Sequence, residues 1–199
     1  MTKEKNSEKR PLRVGLISLG CAKNLVDAEI MLGSLLKSGV EITNDAANAD
    51  ALIVNTCSFI DSAQEESVDA ILESAEIRAA KNRGQSLIVS GCLPQRFRDE
   101  LPKLLPEVDA FMGIDQVAQV GEIVRRAMRN RAERIFNGQS KVQSPKSKVV
   151  SRLHELGKNR AVSEHEKEET IRGTEKFGKT KTVVAASRQS AAIPPEKSA

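Results

Sequence analysis

Three short apolar runs divide the chain at nearly equal intervals. They occupy residues 12–19 (LRVGLISL), 51–54 (ALIV) and 87–90 (LIVS). Runs that stay apolar at successive positions are typical of strands buried on both faces, as in parallel sheets. We therefore predict three parallel strands here, and two shorter strands near residues 40–42 and at Ala110–Met112.

A helical pattern follows each of the three runs. The first helix is predicted to end at Ser38-Gly39, and its apolar residues recur on one face: Leu25, Ala28, Met31, Leu32 and Leu35. Asp61 is the predicted N-cap of the second helix, which should end near Asn82. Pro94 should begin a short third helix, and residues 116–131 a last amphipathic one. This alternation predicts an α/β fold with a doubly wound, mostly parallel sheet of the flavodoxin-like or Rossmann-like type.

The character of the sequence changes at about Phe136. Residues 1–134 carry a net charge of −2, whereas residues 135–199 carry +6, and apolar runs vanish from that part. Such a composition buries too little apolar surface to offset the entropy of ordering. We predict a folded domain over residues 11–134 and a largely disordered basic tail over 135–199, with one short helix near residues 149–156. Contact with nucleic acid is expected only through this tail, and a solvated extension is the simpler interpretation.

The number of cysteines and the lack of targeting signals indicate the cellular compartment of the protein. The N-terminus is charged and lacks the apolar core of a secretory signal, and no run of about 18 apolar residues predicts a membrane helix. The chain has three cysteines, an odd number that argues against a purely intramolecular disulfide framework. We expect a cytoplasmic protein without membrane contact, in which cysteines serve as metal ligands or in catalysis.

Each cysteine directly follows a predicted strand. Cys21, Cys57 and Cys92 are 36 and 35 residues apart, which is about one β-α unit. The carboxyl ends of parallel strands share one edge of the sheet, so the three thiols should meet there, next to helix N-termini that favour thiolates. Gly20 and Gly91 would allow close backbone approach or a positive φ.

Three soft thiolates without a nearby histidine best suit an iron–sulfur cluster. A three-cysteine [4Fe–4S] site leaves one iron without a protein ligand. Zinc is an alternative, although structural zinc sites usually have four ligands and often use close Cys-x-x-Cys pairs. A cluster-free protein in which the cysteines only pack is a further alternative.

Three stretches that contain these cysteines closely resemble the N-terminal domain of the radical SAM methylthiotransferases. They are residues 18–33 (SLGCAKNLVDAEIMLG), 49–71 (ADALIVNTCSFIDSAQEESVDAI) and 88–96 (IVSGCLPQR). Within the family, Ala22-Lys23-Asn24 and Phe59-Ile60-Asp61 resemble the branch that methylthiolates an aspartate of a small-subunit ribosomal protein. The branch that modifies tRNA adenosine, the alternative, typically has Gln-Met-Asn and Arg-Glu-Lys at these places.

The resemblance implies that Cys21, Cys57 and Cys92 hold an auxiliary [4Fe–4S] cluster that presents sulfur. In the implied reaction, a radical made from S-adenosylmethionine abstracts hydrogen from the aspartate β-carbon, and the substrate radical takes sulfur from this cluster. Full-length members also have a radical SAM barrel with a second [4Fe–4S] cluster, and an RNA-binding-type (TRAM) β-barrel.

This chain has no cysteine after Cys92, and from about Phe136 it does not resemble the family. We therefore expect a truncated, catalytically incomplete and monomeric chain. The non-catalytic alternative to a methylthiotransferase fragment is a stand-alone iron–sulfur or sulfur-carrier module.

Other residues of the motifs have predicted supporting roles. Asn24 should cap the first helix, with donation toward the cluster as the alternative. Asn55 should bond a neighbouring loop. Gln95 and Arg96 either orient the edge of the cluster or form a solvated face.

Overall fold

The computed structural model describes residues 10–138 and 144–158 and contains a five-stranded parallel sheet. The strand order β2-β1-β3-β4-β5 is that of flavodoxin-like doubly wound sheets. The predicted fold class is confirmed, as are both short strands. The strands are β1 (Arg13–Ser18), β2 (Glu41–Ile42), β3 (Ala51–Thr56), β4 (Ser86–Gly91) and β5 (Ala110–Met112).

Helices cover both faces of the sheet. Short 3-10 turns at Ala46–Asn48 and Ile114–Gln119 precede β3 and the fifth helix. None of the helices within the described residues has the length and hydrophobicity that crossing a bilayer requires. The helices are α1 (Ala22–Lys37), α2 (Asp61–Lys81), α3 (Cys92–Arg96), α4 (Leu101–Leu104), α5 (Val120–Phe136) and α6 (residues 146–158).

The core has two layers, one on each side of the sheet. Along β3, Leu52 and Val54 pack on the face that α2, α3, α4 and α6 cover, whereas Ala51 and Ile53 pack under α1 and α5. All six residues of β3 and all six of β4 are buried. Burial on both faces explains why these strands appear in the sequence as continuous apolar runs.

Some predicted element boundaries differ from the structure. Ile60, with no side-chain cap, occupies the N-cap of α2, so that Asp61 lies in the first turn instead. α3 begins at Cys92, two residues before Pro94. Leu25 is exposed because Asn24 takes the buried position in the first turn of α1.

The helix predicted near residues 149–156 is present as part of α6. Val149 and Leu153, four residues apart, are fully buried in the core layer beside α2 and α3. Residues 144–157, which the sequence pattern places in the tail, therefore pack on the sheet domain. Residues 139–143 and 159–199 of the predicted tail lie outside the described residues.

Candidate metal centre

The three cysteines lie at the carboxyl edge of three neighbouring strands. Cys21 follows β1, Cys57 follows β3 and Cys92 follows β4, and β3 lies between the other two strands. The register pairs Thr56 with Gly91, the residues that directly precede Cys57 and Cys92. The expected meeting of the three segments at one edge is thus found.

Two glycines allow the cysteine loops to pass close to each other. Gly20 and Gly91 have φ values of +94° and +99°, which L side chains rarely adopt. A Cβ atom on Gly20 would lie 2.6 Å from the Cβ of Cys57. The loop before α1 therefore lies directly against the second cysteine.

Cys21 is the exposed cysteine and occupies the N-cap of α1. The backbone N–H groups of Asn24 and Lys23 lower the pKa of its thiol, and the positive charge of Lys23 adds to this effect. The start of α1 thus favours a thiolate, the form that binds metals.

Cys92 is partly buried, and this burial raises the pKa of its thiol. The neighbouring Cys57 and Cys21 raise the pKa further, while Lys23 opposes them. The two other thiols therefore make the thiolate form of Cys92 less favourable. A bound cationic group would oppose this effect.

Cys57 is buried, and residues of two helices bond the backbone of Cys57 and of the next residue, Ser58. The Ser67 hydroxyl on α2 donates to the carbonyl of Cys57 at 2.9 Å and accepts from its N–H at 3.1 Å. Arg96 on α3 donates to the carbonyl of Ser58 at 2.9 Å. Arg96 thus contacts the loop that follows Cys57, whereas Gln95 accepts from the exposed Arg98. Orientation of a cluster edge by either residue stays a prediction.

Asn24 lies fully buried between the three cysteine segments. Its Nδ2 donates to the carbonyls of Leu19 and Thr56 at 2.8 and 2.9 Å, and its Oδ1 accepts from Cys92 Sγ at 3.6 Å. The predicted capping role is wrong, because Cys21 is the N-cap. Both protons of the side-chain amide bind backbone carbonyls, and donation toward a cluster stays a prediction.

Asn55 connects the end of β3 to its neighbours. Its Nδ2 donates to the carbonyl of Asn24 at 2.8 Å, and its Oδ1 accepts from the Ser90 hydroxyl on β4 at 3.1 Å. The predicted bond to a neighbouring segment is confirmed. Ser67 and Ser90 are missing from the sequence predictions. The sequence feature that could have indicated Ser67 is its position as a polar residue beside Val68 on the buried face of α2.

The donor atoms that the three cysteines bring to this edge of the sheet are soft thiol sulfurs. Among the described residues, no group of three or more His, Cys, Asp or Glu side chains could hold one metal ion. A cubane has a different requirement, because each thiolate binds a different iron atom. Soft sulfur donors beside the N-terminus of α1 match its chemistry and its negative charge.

Comparison of the sequence with those of known proteins finds a family that includes the three cysteine segments. Residues 13–113 match the model of a family described as "Uncharacterized protein family UPF0004", which is the N-terminal domain of methylthiotransferases. The matched range is more than half of the chain. The chain belongs to this family. Its match includes β1 to β5 and all three cysteines.

Three similar relatives are each named ribosomal protein uS12 methylthiotransferase RimO. The relative from Akkermansia muciniphila is 57% identical over 120 residues, which are 59% of this chain and 26% of the relative. The relative from Symbiobacterium thermophilum is 53% identical over 115 residues, which are 58% of this chain and 24% of the relative. The relative from Koribacter versatilis is 47% identical over 149 residues, which are 73% of this chain and 29% of the relative. The chain therefore spans 24% to 29% of the length of these relatives.

The third alignment also corrects the predicted extent of the resemblance. An alignment that covers 73% of 199 residues includes about 145 of them, so it must extend at least to about residue 145. The expectation that the family resemblance ends near Phe136 is therefore wrong. The burial of Val149 and Leu153 in the same core accords with this extension.

Proposed function

We propose that Cys21, Cys57 and Cys92 bind one [4Fe–4S] cluster in this methylthiotransferase domain. The observation that supports this most is the position of the three thiols at the ends of three adjacent parallel strands. They are the only cysteines in the chain. When bound, such a cluster would supply sulfur for a methylthio group.

The residues of the chain would provide three kinds of support for the cluster. The backbone N–H groups at the start of α1 would offset negative charge near Cys21. Ser67 would keep Cys57 in place by its two backbone hydrogen bonds. Lys23, which lowers the pKa of Cys21 and opposes the rise at Cys92, would contribute a positive charge.

We further propose that the domain serves an enzyme that methylthiolates the ribosomal protein uS12, on an aspartate side chain. The names of the relatives support the protein substrate, and the resemblance to the ribosomal branch supports the aspartate. The second [4Fe–4S] cluster and S-adenosylmethionine would belong to regions that the relatives have beyond the matched part. A cytoplasmic location would follow from this substrate.

Anaerobic reconstitution tests the cluster. The chain should take up about four irons with sulfide and gain a broad visible absorbance, as expected for one cubane. Cys57→Ala should lose nearly all of this iron, because two thiolates rarely hold a cubane. Ser62→Ala, an exposed position near the start of α2, is the matched control and should bind iron like the unchanged chain.

Two results would contradict the proposal. Uptake of zinc alone, or of no metal, would show that the thiols do not form an iron–sulfur site. Full iron content in Cys57→Ala would remove Cys57 from the ligand set. Metal analysis together with Mössbauer spectroscopy distinguishes a cubane from iron bound non-specifically.

A further inference from the structure

Asn24 makes hydrogen bonds to all three of the segments that carry the cysteines. We propose that Asn24 is the positioning residue of this site, which sets the distances between the three cysteine-bearing segments. The identity of the bound group rests on the function proposed above. The positioning role itself rests only on the contacts of Asn24 in the metal-free chain.

The side chain of Asn24 joins three segments at one point. One amide proton goes to the carbonyl of Leu19, two residues before Cys21. The other goes to the carbonyl of Thr56, directly before Cys57. The oxygen of the same amide accepts from Cys92 Sγ at 3.6 Å. A single planar group thus fixes the approach to each of the three cysteines.

The backbone of Asn24 adds a further connection. Its carbonyl accepts from Nδ2 of Asn55, and Oδ1 of Asn55 accepts from the Ser90 hydroxyl on β4. Asn24 and Thr56 are both 0% exposed, so water cannot replace the bond between them, and its loss would leave the buried carbonyl of Thr56 without this donor.

Only an asparagine meets all of these demands at this position. Aspartate has the same shape but lacks both amide donors, and it would bring a negative charge beside Cys92. Glutamine has the same groups, but its extra methylene would have to fit into a fully buried space. Serine has a single hydroxyl group, so it can make only some of these hydrogen bonds.

The experiment compares Asn24→Ala and Asn24→Ser with Asn82→Ala. Asn82 is also partly buried and donates to a backbone carbonyl, that of Ala49, but it lies at the opposite edge of the sheet. Two quantities are measured below each protein's unfolding transition. The first is the rate at which a reconstituted chain loses iron to a chelator. The second is the rate at which iodoacetamide alkylates Cys92 in the metal-free chain, followed by peptide mass spectrometry.

Both Asn24 variants should lose iron faster than the unchanged chain. For Asn24→Ala the rate should rise by about 10- to 100-fold, which is the usual effect of removing a residue that orients metal ligands. Cys92 should also be alkylated faster, because its sulfur loses the Oδ1 contact. Asn82→Ala should be less stable to heat yet keep both rates unchanged. If Asn24→Ala fails to fold, Asn24→Ser, which leaves a smaller gap and one polar group, provides the same comparison.

Two results would overturn the inference. One is that the folded Asn24 variants keep both rates of the unchanged chain. The other is that Asn82→Ala accelerates both rates equally, which would show general destabilisation only. If the unchanged chain binds no iron while Cys92 alkylation still rises in Asn24→Ala, the cluster proposal fails and the positioning role stands.

Discussion

At the residue scale, Gly91 shows how little space separates the cysteine loops. It is the last residue of β4 and has a φ of +99°. A Cβ atom there would lie 2.4 Å from the carbonyl oxygen of Thr56 and 2.7 Å from Oδ1 of Asn55. These neighbours are backbone and a buried, hydrogen-bonded side chain, so neither can move aside easily.

Gly91→Ala should therefore reduce the free energy of unfolding by about 2–4 kcal/mol, since it combines an unfavourable φ with a steric clash. Gly33→Ala is the matched control, because Gly33 lies within α1 and nothing would contact its Cβ within 4 Å. That change should raise stability by about 0.5–1 kcal/mol. Urea denaturation measures both, and an unchanged midpoint for Gly91→Ala would contradict the steric argument.

The sequence predicts the placement of the cysteines better than that of their supporting residues. A cysteine at the end of an apolar run lies at the sheet edge whatever its neighbours are, so Cys21, Cys57 and Cys92 could be placed from pattern alone. The role of Asn24 depends on the carbonyls of Leu19 and Thr56 and on the thiol of Cys92, which the fold brings to its amide group. No local pattern encodes that arrangement, which is why a helix cap was the expectation.

At the element scale, the strands were predictable and α6 was only partly so. Strands buried on both faces produce continuous apolar runs, and Ser38-Gly39 ends α1 as expected. In α6 only Val149 and Leu153 are fully buried, among charged and polar residues. Two apolar residues one turn apart predict a short helix but not the surface on which it packs.

The packing of α6 leads to a prediction about two adjacent residues. Leu153→Ala should lower the free energy of unfolding by about 2–5 kcal/mol, because Leu153 is fully buried against the core. Arg152→Ala should change it by less than about 0.5 kcal/mol, since Arg152 is exposed and its ion pair with Glu155, one turn away, is exposed as well. Thermal unfolding followed by circular dichroism measures the difference.

Equal stability of the two α6 variants would show that the helix does not contribute to the core in solution. A selective loss in Leu153→Ala would instead place residues 144–158 within the folding unit of the domain. The same variants would also test whether the cysteine edge is independent of α6, because iron uptake per folded chain should be unchanged in both.

At the scale of the whole molecule, the strand order explains why one edge gathers the cysteines. β1, β3 and β4 are adjacent in the order β2-β1-β3-β4-β5. The alternation of strands and helices predicts a doubly wound sheet, but several strand orders are compatible with it. The order depends on which side of the sheet each connection crosses, and that is decided by packing across both layers.

The opposite edge of the sheet is held together by a buried ion pair. Arg78 of α2 and Asp109, which precedes β5, are 2.7 Å apart, and both side chains are almost inaccessible to solvent. The N–H of Leu87 in β4 donates to the same carboxylate at 2.9 Å, and Arg134 of α5 lies 3.3 Å from its other oxygen. One carboxylate thus connects α2, β4 and α5.

Asp109→Ala should consequently cost about 3–5 kcal/mol of unfolding free energy, because it leaves the buried Arg78 without its counter-charge. Asp115→Ala removes the partner of Arg98 from an exposed pair at 3.3 Å, and it should cost no more than about 1 kcal/mol. Urea denaturation of both variants measures this contrast, and similar losses would contradict a structural role for the buried pair. Since Asp109 lies at the edge opposite the cysteines, its removal should lower the folded fraction while the iron bound per folded chain stays constant.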